Sequence, residues 1–330
     1  MTHHTECQSL LDTLPRVTLV IGKGGVGRTT VSAALGRSFA QRGERTLLCE
    51  VGGDEVVSSW YGLEPSGYLG QELFPGLFVM ALKPQDALAE YLMRQVRLKL
   101  IYRMLFGNRP MRAFLDAVLG LSDLITLGKV ADLERSTRPR AVDGQAELAW
   151  DRIIVDMPAT GHALSMLRAP ASMADLAIAG PLHANALWVR DLIEDPSRCA
   201  LVLATWAEEL PVTEAIETVQ QLQADGGPVP HTIVLSGVTD PSVSTEFQPF
   251  LDKLVAEGSA GLAQAARALT RDVQRASRVE TLHQLLVSAA PQANLFEVPL
   301  LDQLPDPDAR IDAVSDILCT QSQQRAGAQQ

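Results

Sequence analysis

Nine consecutive residues, Gly22, Lys23, Gly24, Gly25, Val26, Gly27, Arg28, Thr29 and Thr30, have the types and spacing to hold a phosphate. Glycines let successive backbone N–H groups turn inward on the anion, and a helix that starts directly afterwards adds the positive end of its dipole. The pattern Gly-x-x-x-x-Gly-Lys-Ser/Thr is met at every position but one: Arg28 stands where the lysine that reaches the β- and γ-phosphates is expected. Arginine keeps the charge and can fork onto two oxygens, but it is bulkier and more weakly hydrated. The Thr29 hydroxyl is expected on Mg²⁺. Such a loop works only between a strand and a helix. Val17 to Ile21 is an apolar, β-branched run, and Val31, Ala34, Leu35 and Phe39 recur at helical spacing.

Carboxylates form the second group. Arg152 to Asp156 is an apolar strand ending in an acid, so Asp156 can hold the Mg²⁺ shell directly or through water. A further short strand, Arg45 to Glu50, leads into Val51, Gly52, Gly53 and Asp54. Glu50 and Asp54 are the acids that a glycine-bearing loop can bring near a γ-phosphate. The alternative is that Glu50 caps structure or holds Mg²⁺-bound water while hydrolysis is slow.

The opening Gly-Lys-Gly-Gly resembles that of the "deviant" Walker A ATPases: arsenite-pump ATPases, tail-anchored-protein-targeting ATPases, partitioning and septum-site ATPases, and nitrogenase iron protein. The likeness to the first two continues through Asp156, Met157, Pro158, Ala159, Thr160, Gly161 and His162, which resembles their Asp-Thr-Ala-Pro-Thr-Gly-His segment. It extends to Gly180, Pro181, Leu182 and His183, and to Pro299, Leu300 and Leu301, and so covers most of the chain. The resemblance implies ATP and Mg²⁺ as ligands. It also implies that Lys23 reaches across a dimer interface to the partner's nucleotide, that residues after Asp156 couple nucleotide state to subunit movement, and that Pro299 and Leu300 wrap the adenine. Two departures stand out. Gly52 falls where relatives carry the aspartate that orients the attacking water, and Ser236 falls where they present an asparagine to the base. Relatives that drive arsenite pumps duplicate the domain within one chain; here the partner is expected to be another copy or a paralogue.

Composition narrows the classes. A net charge of −11 and a pI near 5 argue against non-specific nucleic-acid binding, which needs clustered Lys and Arg. No apolar run approaches a membrane span and Met1 to Leu14 has no signal-peptide core, so a soluble, cytoplasmic protein is expected. Cys7, Cys49, Cys199 and Cys319 are isolated, with no Cys-x-x-Cys pair. A soft metalloid needs several thiolates together, which disfavours an arsenite-binding subunit, and the same count disfavours an iron-sulfur reductase. A septum-site ATPase would carry a basic amphipathic tail helix, which is absent here.

The elements that must position these residues alternate along the chain. Leu77 to Leu82, Ala200 to Thr205, His231 to Leu235 and Leu295 to Val298 read as further strands. Residues 60 to 76 and 135 to 149 read as loops, Glu209 to Gln221 and residues 243 to 290 as helical, and residues 321 to 330 as a disordered polar tail. The expected fold is α/β, a doubly wound, mostly parallel sheet in a single P-loop ATPase domain spanning 1 to 330. Residues 84 to 136 read as a helical insertion subdomain. There Leu92, Met93, Val96, Leu100, Ile101, Met104 and Leu105 make an unusually wide apolar face, with six basic and no acidic residues between Arg94 and Arg112. Together with this face, the resemblance implies a dimeric ATPase whose nucleotide-driven opening and closing binds and releases a hydrophobic, membrane-protein-like client at the insertion. The alternative, favoured by Arg28, Gly52 and Ser236, is a weakly hydrolysing regulatory or scaffold subunit paired with a paralogue.

Overall fold

A computed structural model describes residues 10–52, 55–95, 120–139, 144–176, 179–239, 247–301, 303–304 and 306–328. Ten strands are seen among them: β1 (Val17–Gly22), β2 (Thr46–Val51), β3 (Gln71–Phe74), β4 (Leu77–Leu82), β5 (Thr137–Pro139), β6 (Ala146–Leu148), β7 (Arg152–Asp156), β8 (Cys199–Trp206), β9 (Pro230–Val238) and β10 (Asn294–Pro299). The principal helices are α1 (Leu10–Thr13), α2 (Arg28–Gln41), α3 (Val56–Trp60), α4 (Pro84–Gln95), α5 (Leu121–Glu134), α6 (Thr160–Leu176), α7 (Pro181–Glu194), α8 (Glu209–Ala224), α9 (Gln248–Glu257), α10 (Ala260–Ala289) and α11 (Pro307–Ala328).

Eight strands form one sheet in the order β10-β9-β8-β1-β7-β2-β4-β3, and every pairing is parallel except β3 with β4. Both faces are covered, as a parallel sheet requires. Val17, Leu19, Ile21, Ile153, Val155, Leu201 and Leu203 point to a core completed by α5, α6, α7 and α8. Their neighbours in sequence, Val20, Ile154, Val202 and Val234, point to the opposite core, built with α2 and α11. Continuous apolar runs such as Leu19–Val20–Ile21 are what two buried faces demand.

The chain leaves β1 towards β7 and β2 on one side and later fills β8, β9 and β10 on the other. The sheet therefore reverses its winding beside β1, and ligands bind outside the carboxyl ends of the strands at such a point. The Gly22–Thr30 loop starts there.

Three local readings need correction. The segment 60 to 76 contains the edge strand β3, whose antiparallel pairing with β4 is closed by the turn at Gly76 (φ 84°). The stretch 135 to 149 is not wholly irregular, because Thr137–Pro139 pairs antiparallel with Ala146–Leu148. The polar end is helical as far as Ala328, since Gln, Arg and Ala are good helix formers whatever their polarity. Of the insertion, α4 and α5 are described; Val96, Leu100, Ile101, Met104 and Leu105, and the basic run from Arg97 to Arg112, lie outside the described residues, as does the side chain of Leu92.

Candidate nucleotide site

Each end of the loop is fixed by the sheet. Gly22 closes β1 in register with Ala204 of β8, and a Cβ at Gly22 would lie 2.5 Å from the Ala204 carbonyl oxygen, so only glycine fits. Gly25 (φ 85°) and Gly27 (φ 84°) take the left-handed conformation that turns the loop, and Gly27 is the N-cap of α2. Val26 is buried at 3 % exposure and anchors the loop on the α2 face. The backbone amides of Gly24 to Gly27 thus lead into those of Arg28 and Thr29, the first two residues of a fourteen-residue helix.

Asp156 ends β7, paired with Val20 of β1 and Glu50 of β2, on the face that α2 covers. Its carboxylate is the hub of the site. Arg28 Nε donates to Oδ1 at 2.9 Å, Thr29 Oγ1 donates to Oδ2 at 2.7 Å, and Ser32 Oγ lies 3.2 Å from Oδ1. Arg28 Nη1 also donates to the Gly22 carbonyl at 3.2 Å. Burial pushes the Asp156 carboxyl above its ordinary range, while Arg28 and the hydroxyls of Thr29 and Ser32 act against that shift. The expected metal ligands, Thr29 and Asp156, are therefore adjacent but bound to each other, with the Arg28 guanidinium on the other carboxylate oxygen. Mg²⁺ needs near-octahedral oxygen ligands, and an Asp156 already shared by a fixed cation and two hydroxyls does not fit it.

Lys23 is half-exposed, and its Nζ lies 2.7 Å from Glu214 Oε1 on α8. Within one chain the residue expected to work across an interface is thus held by its own helix. The two line a small cleft of about 180 Å³ with Thr160, Gly161, Ala204 and Thr205, at the carboxyl ends of β1 and β8.

Glu50 is buried, and its Oε1 accepts the Val57 N–H at 3.0 Å, at the start of α3. The other oxygen, Oε2, is buried with no hydrogen-bond partner. Burial pushes this carboxyl up to about 7, helped by the charges of Asp156 and Glu55 and opposed by the backbone N–H groups of Val57 and Val56. Gly52 is exposed, with φ 107° and open space where a side chain would stand. Asp54 lies outside the described residues.

Ser236, near the end of β9, is buried, and its Oγ lies 3.9 Å from where a Cβ on Gly27 would be. It stands under the phosphate loop. Pro299 ends β10, and the Leu300 N–H donates to the Val238 carbonyl at 2.8 Å, so both lie on the same carboxyl edge, two strands beyond β8. Four residues that the sequence did not single out join the site: Ser32, Glu214, Trp206 and Asp123. Trp206 ends β8 and lies against Gly237, where a Cβ would come within 2.5 Å of the indole; that Gly-after-Ser pair was its only visible trace. Asp123 Oδ1 on α5 is 3.0 Å from His162 Nε2, joining the segment after Asp156 to the described part of the insertion.

Among the described residues the cysteines form no ligand set. Cys49 and Cys199 are buried free thiols whose burial pushes both up to about 12. Among the described residues no cluster of three or more His, Cys, Asp or Glu is arranged for a metal, and no helix is long and apolar enough to cross a membrane.

Comparison with known proteins agrees with this fold. Residues 15–178, from just before β1 to just past α6, match the family model of the anion-transporting ATPases. ATPase BagA of Mycobacterium tuberculosis is 27 % identical over 318 residues, covering 87 % of this chain and 86 % of that one. The arsenical pump-driving ATPases of Acidiphilium multivorum and Escherichia coli are each 25 % identical, over 69 % and 66 % of this chain but only 40 % and 38 % of their own lengths. With a phosphate loop after the central strand and an acid-ended strand beside it in the doubly wound parallel sheet, residues 15–178 form a P-loop domain of the ArsA-type, anion-transporting ATPase family.

Proposed function

We propose that this chain is an ATP-binding, slowly hydrolysing cytoplasmic ATPase that pairs with a second copy or a paralogue and couples nucleotide state to an apolar protein client. The observation that carries it is the Asp156 hub: one carboxylate ties the first turn of α2 to the end of β7, immediately before the segment that leads to His162. Phosphate entering the loop meets Arg28 directly, so nucleotide state acts on that hub. From there, the His162–Asp123 contact offers a mechanical path to α5. Pairing rests on Lys23, which lies at the mouth of the cleft and exchanges Glu214 for a partner's phosphate when two copies meet.

Slow hydrolysis follows from the carboxylates. An aspartate-free Gly52 and a Glu50 turned into the start of α3 leave the attacking water without an orienting group among the described residues. Asp54 is the remaining candidate for that role.

An apolar client is supported by a groove of about 1020 Å³ between α4, α5 and the β2-β4-β3 end of the sheet. Phe78, Trp150 and Met80 line it, with Arg45 over the two rings, and Glu72, Asp86, Glu90 and Lys129 add charge around them; Leu69 (98 % exposed) and Met93 (51 % exposed) supply its exposed apolar surface. Methionine suits a surface that repacks around varied partners. Steady-state ATP turnover, measured beside the particle mass in ADP, in an ATP analogue and without nucleotide, tests the proposal. Slow turnover with a larger particle in the analogue supports it. Fast turnover by a particle whose mass never changes contradicts it.

A further inference from the structure

Resting on the nucleotide-binding reading, a further inference concerns what neutralises the phosphate. Arg28 spans the floor of the loop from the last of its residues to the first, with Nη1 on the Gly22 carbonyl and Nε on Asp156 Oδ1. The pair is secluded: 19 % of the Arg28 side chain and 7 % of the Asp156 side chain are exposed. Thr29 Oγ1 spends its one proton on Asp156 Oδ2, and Ser32 Oγ takes a further place at Oδ1. A carboxylate has about four lone-pair sites; Arg28 and Thr29 take two, and Ser32, whose one proton is shared with the Arg28 carbonyl at 3.0 Å, faces a third. A guanidinium cannot shed its proton, so Arg28 cannot become a neutral bystander when a divalent cation arrives. A lysine would be a mobile point charge able to leave the carboxylate to a metal, whereas arginine is held by two fixed bonds at once.

The same fork leaves donors over. Of the five N–H groups on a guanidinium, two are used, by Asp156 and Gly22, and no other partner is seen among the described residues. Arginine's remaining donors are of the kind that bind phosphate oxygens bidentately.

We propose that Arg28 is a built-in counter-cation standing in for the divalent metal at Asp156, so that a nucleoside triphosphate binds this loop without Mg²⁺. The donors of Arg28 and the loop amides take up the phosphate charge that a metal carries elsewhere.

Calorimetric titration of the full chain with ATP in excess Mg²⁺, and again in excess EDTA, tests this. The expected Kd changes by less than about threefold between the two, and the Arg28→Lys variant regains metal dependence of about tenfold or more. A wild-type Kd that weakens about tenfold or more in EDTA overturns the proposal. So does an Arg28→Lys variant, shown folded by its thermal unfolding curve, that is as indifferent to metal as wild type. Should that variant not fold, the two wild-type titrations decide the matter alone. No ATP binding by wild type in either condition is a separate result, which removes the nucleotide reading itself.

Discussion

A carboxylate as buried as Asp156 keeps its charge only while a cation faces it. Removing that cation is costly: Arg28→Gln leaves the carboxylate uncompensated and is expected to lower stability by about 3 kcal/mol at neutral pH, read from the urea unfolding midpoint. Glu50 is also pushed up by burial, but no cation faces it among the described residues. Its folded-state value of about 7 lies above the ordinary 4.5, so the folded chain holds a proton that the unfolded chain has released between those pH values. Stability from this group is therefore full below about pH 4.5 and is lost as pH rises through 7. Glu50→Gln, which keeps the acceptor for the Val57 N–H, should be neutral at pH 4 and stabilising by up to about 3 kcal/mol at pH 8. Equal effects at both pH values would rule out a protonated Glu50. Much of this residue-level detail was legible early: the loop glycines, Thr29 and Asp156 are readable from spacing alone. The Arg28–Asp156 bond was not, because it joins residues 128 apart and depends on β1 lying in register beside β7. A capping role for Glu50 was foreseen as one alternative, but not the element it caps, since α3 is only five residues long and carries no helical periodicity.

At the scale of elements, the loop is a product of its flanks. Gly22→Ala would drive a Cβ into the Ala204 carbonyl and the Val26 side chain, pressing β1 against β8. Overpacking against backbone of this kind is expected to cost about 2–3 kcal/mol and to lower the unfolding midpoint. Helix α8 has a more specific task, holding Lys23 through Glu214. An exposed ion pair is worth about 0.2–1 kcal/mol, so Glu214→Gln should tighten nucleotide-dependent pairing of chains by no more than about fivefold, while Lys23→Ala should abolish it. Sedimentation in an ATP analogue distinguishes these; a Lys23→Ala variant that pairs like wild type would show that Lys23 does not act in trans. Long periodic elements such as α2 and the core strands were visible in sequence. The edge strand β3 and the hairpin of β5 with β6 were not, because three- and four-residue strands among Gly and Pro carry too little alternation to be told from loops.

For the molecule as a whole, strands from residues 17 to 299 form one sheet, so the first half's phosphate loop and the second half's β8, β9 and β10 meet on a single carboxyl edge. That edge gathers Lys23, Arg28, Asp156, Ser236 and Leu300, residues spread over most of the chain. The order of α and β elements made such a sheet foreseeable, whereas the position of the winding reversal beside β1 came only from the strand order. The central claim is that a nucleotide seats its phosphates on the Gly22–Thr30 loop at this edge. Titrating ATP into wild type and Gly27→Val by calorimetry tests it most directly, because a branched side chain at φ 84° strains the turn and blocks the close approach of backbone to phosphate. Saturable ATP binding by wild type that Gly27→Val loses, with the variant still folded, is the predicted result; undiminished binding by Gly27→Val would contradict the account.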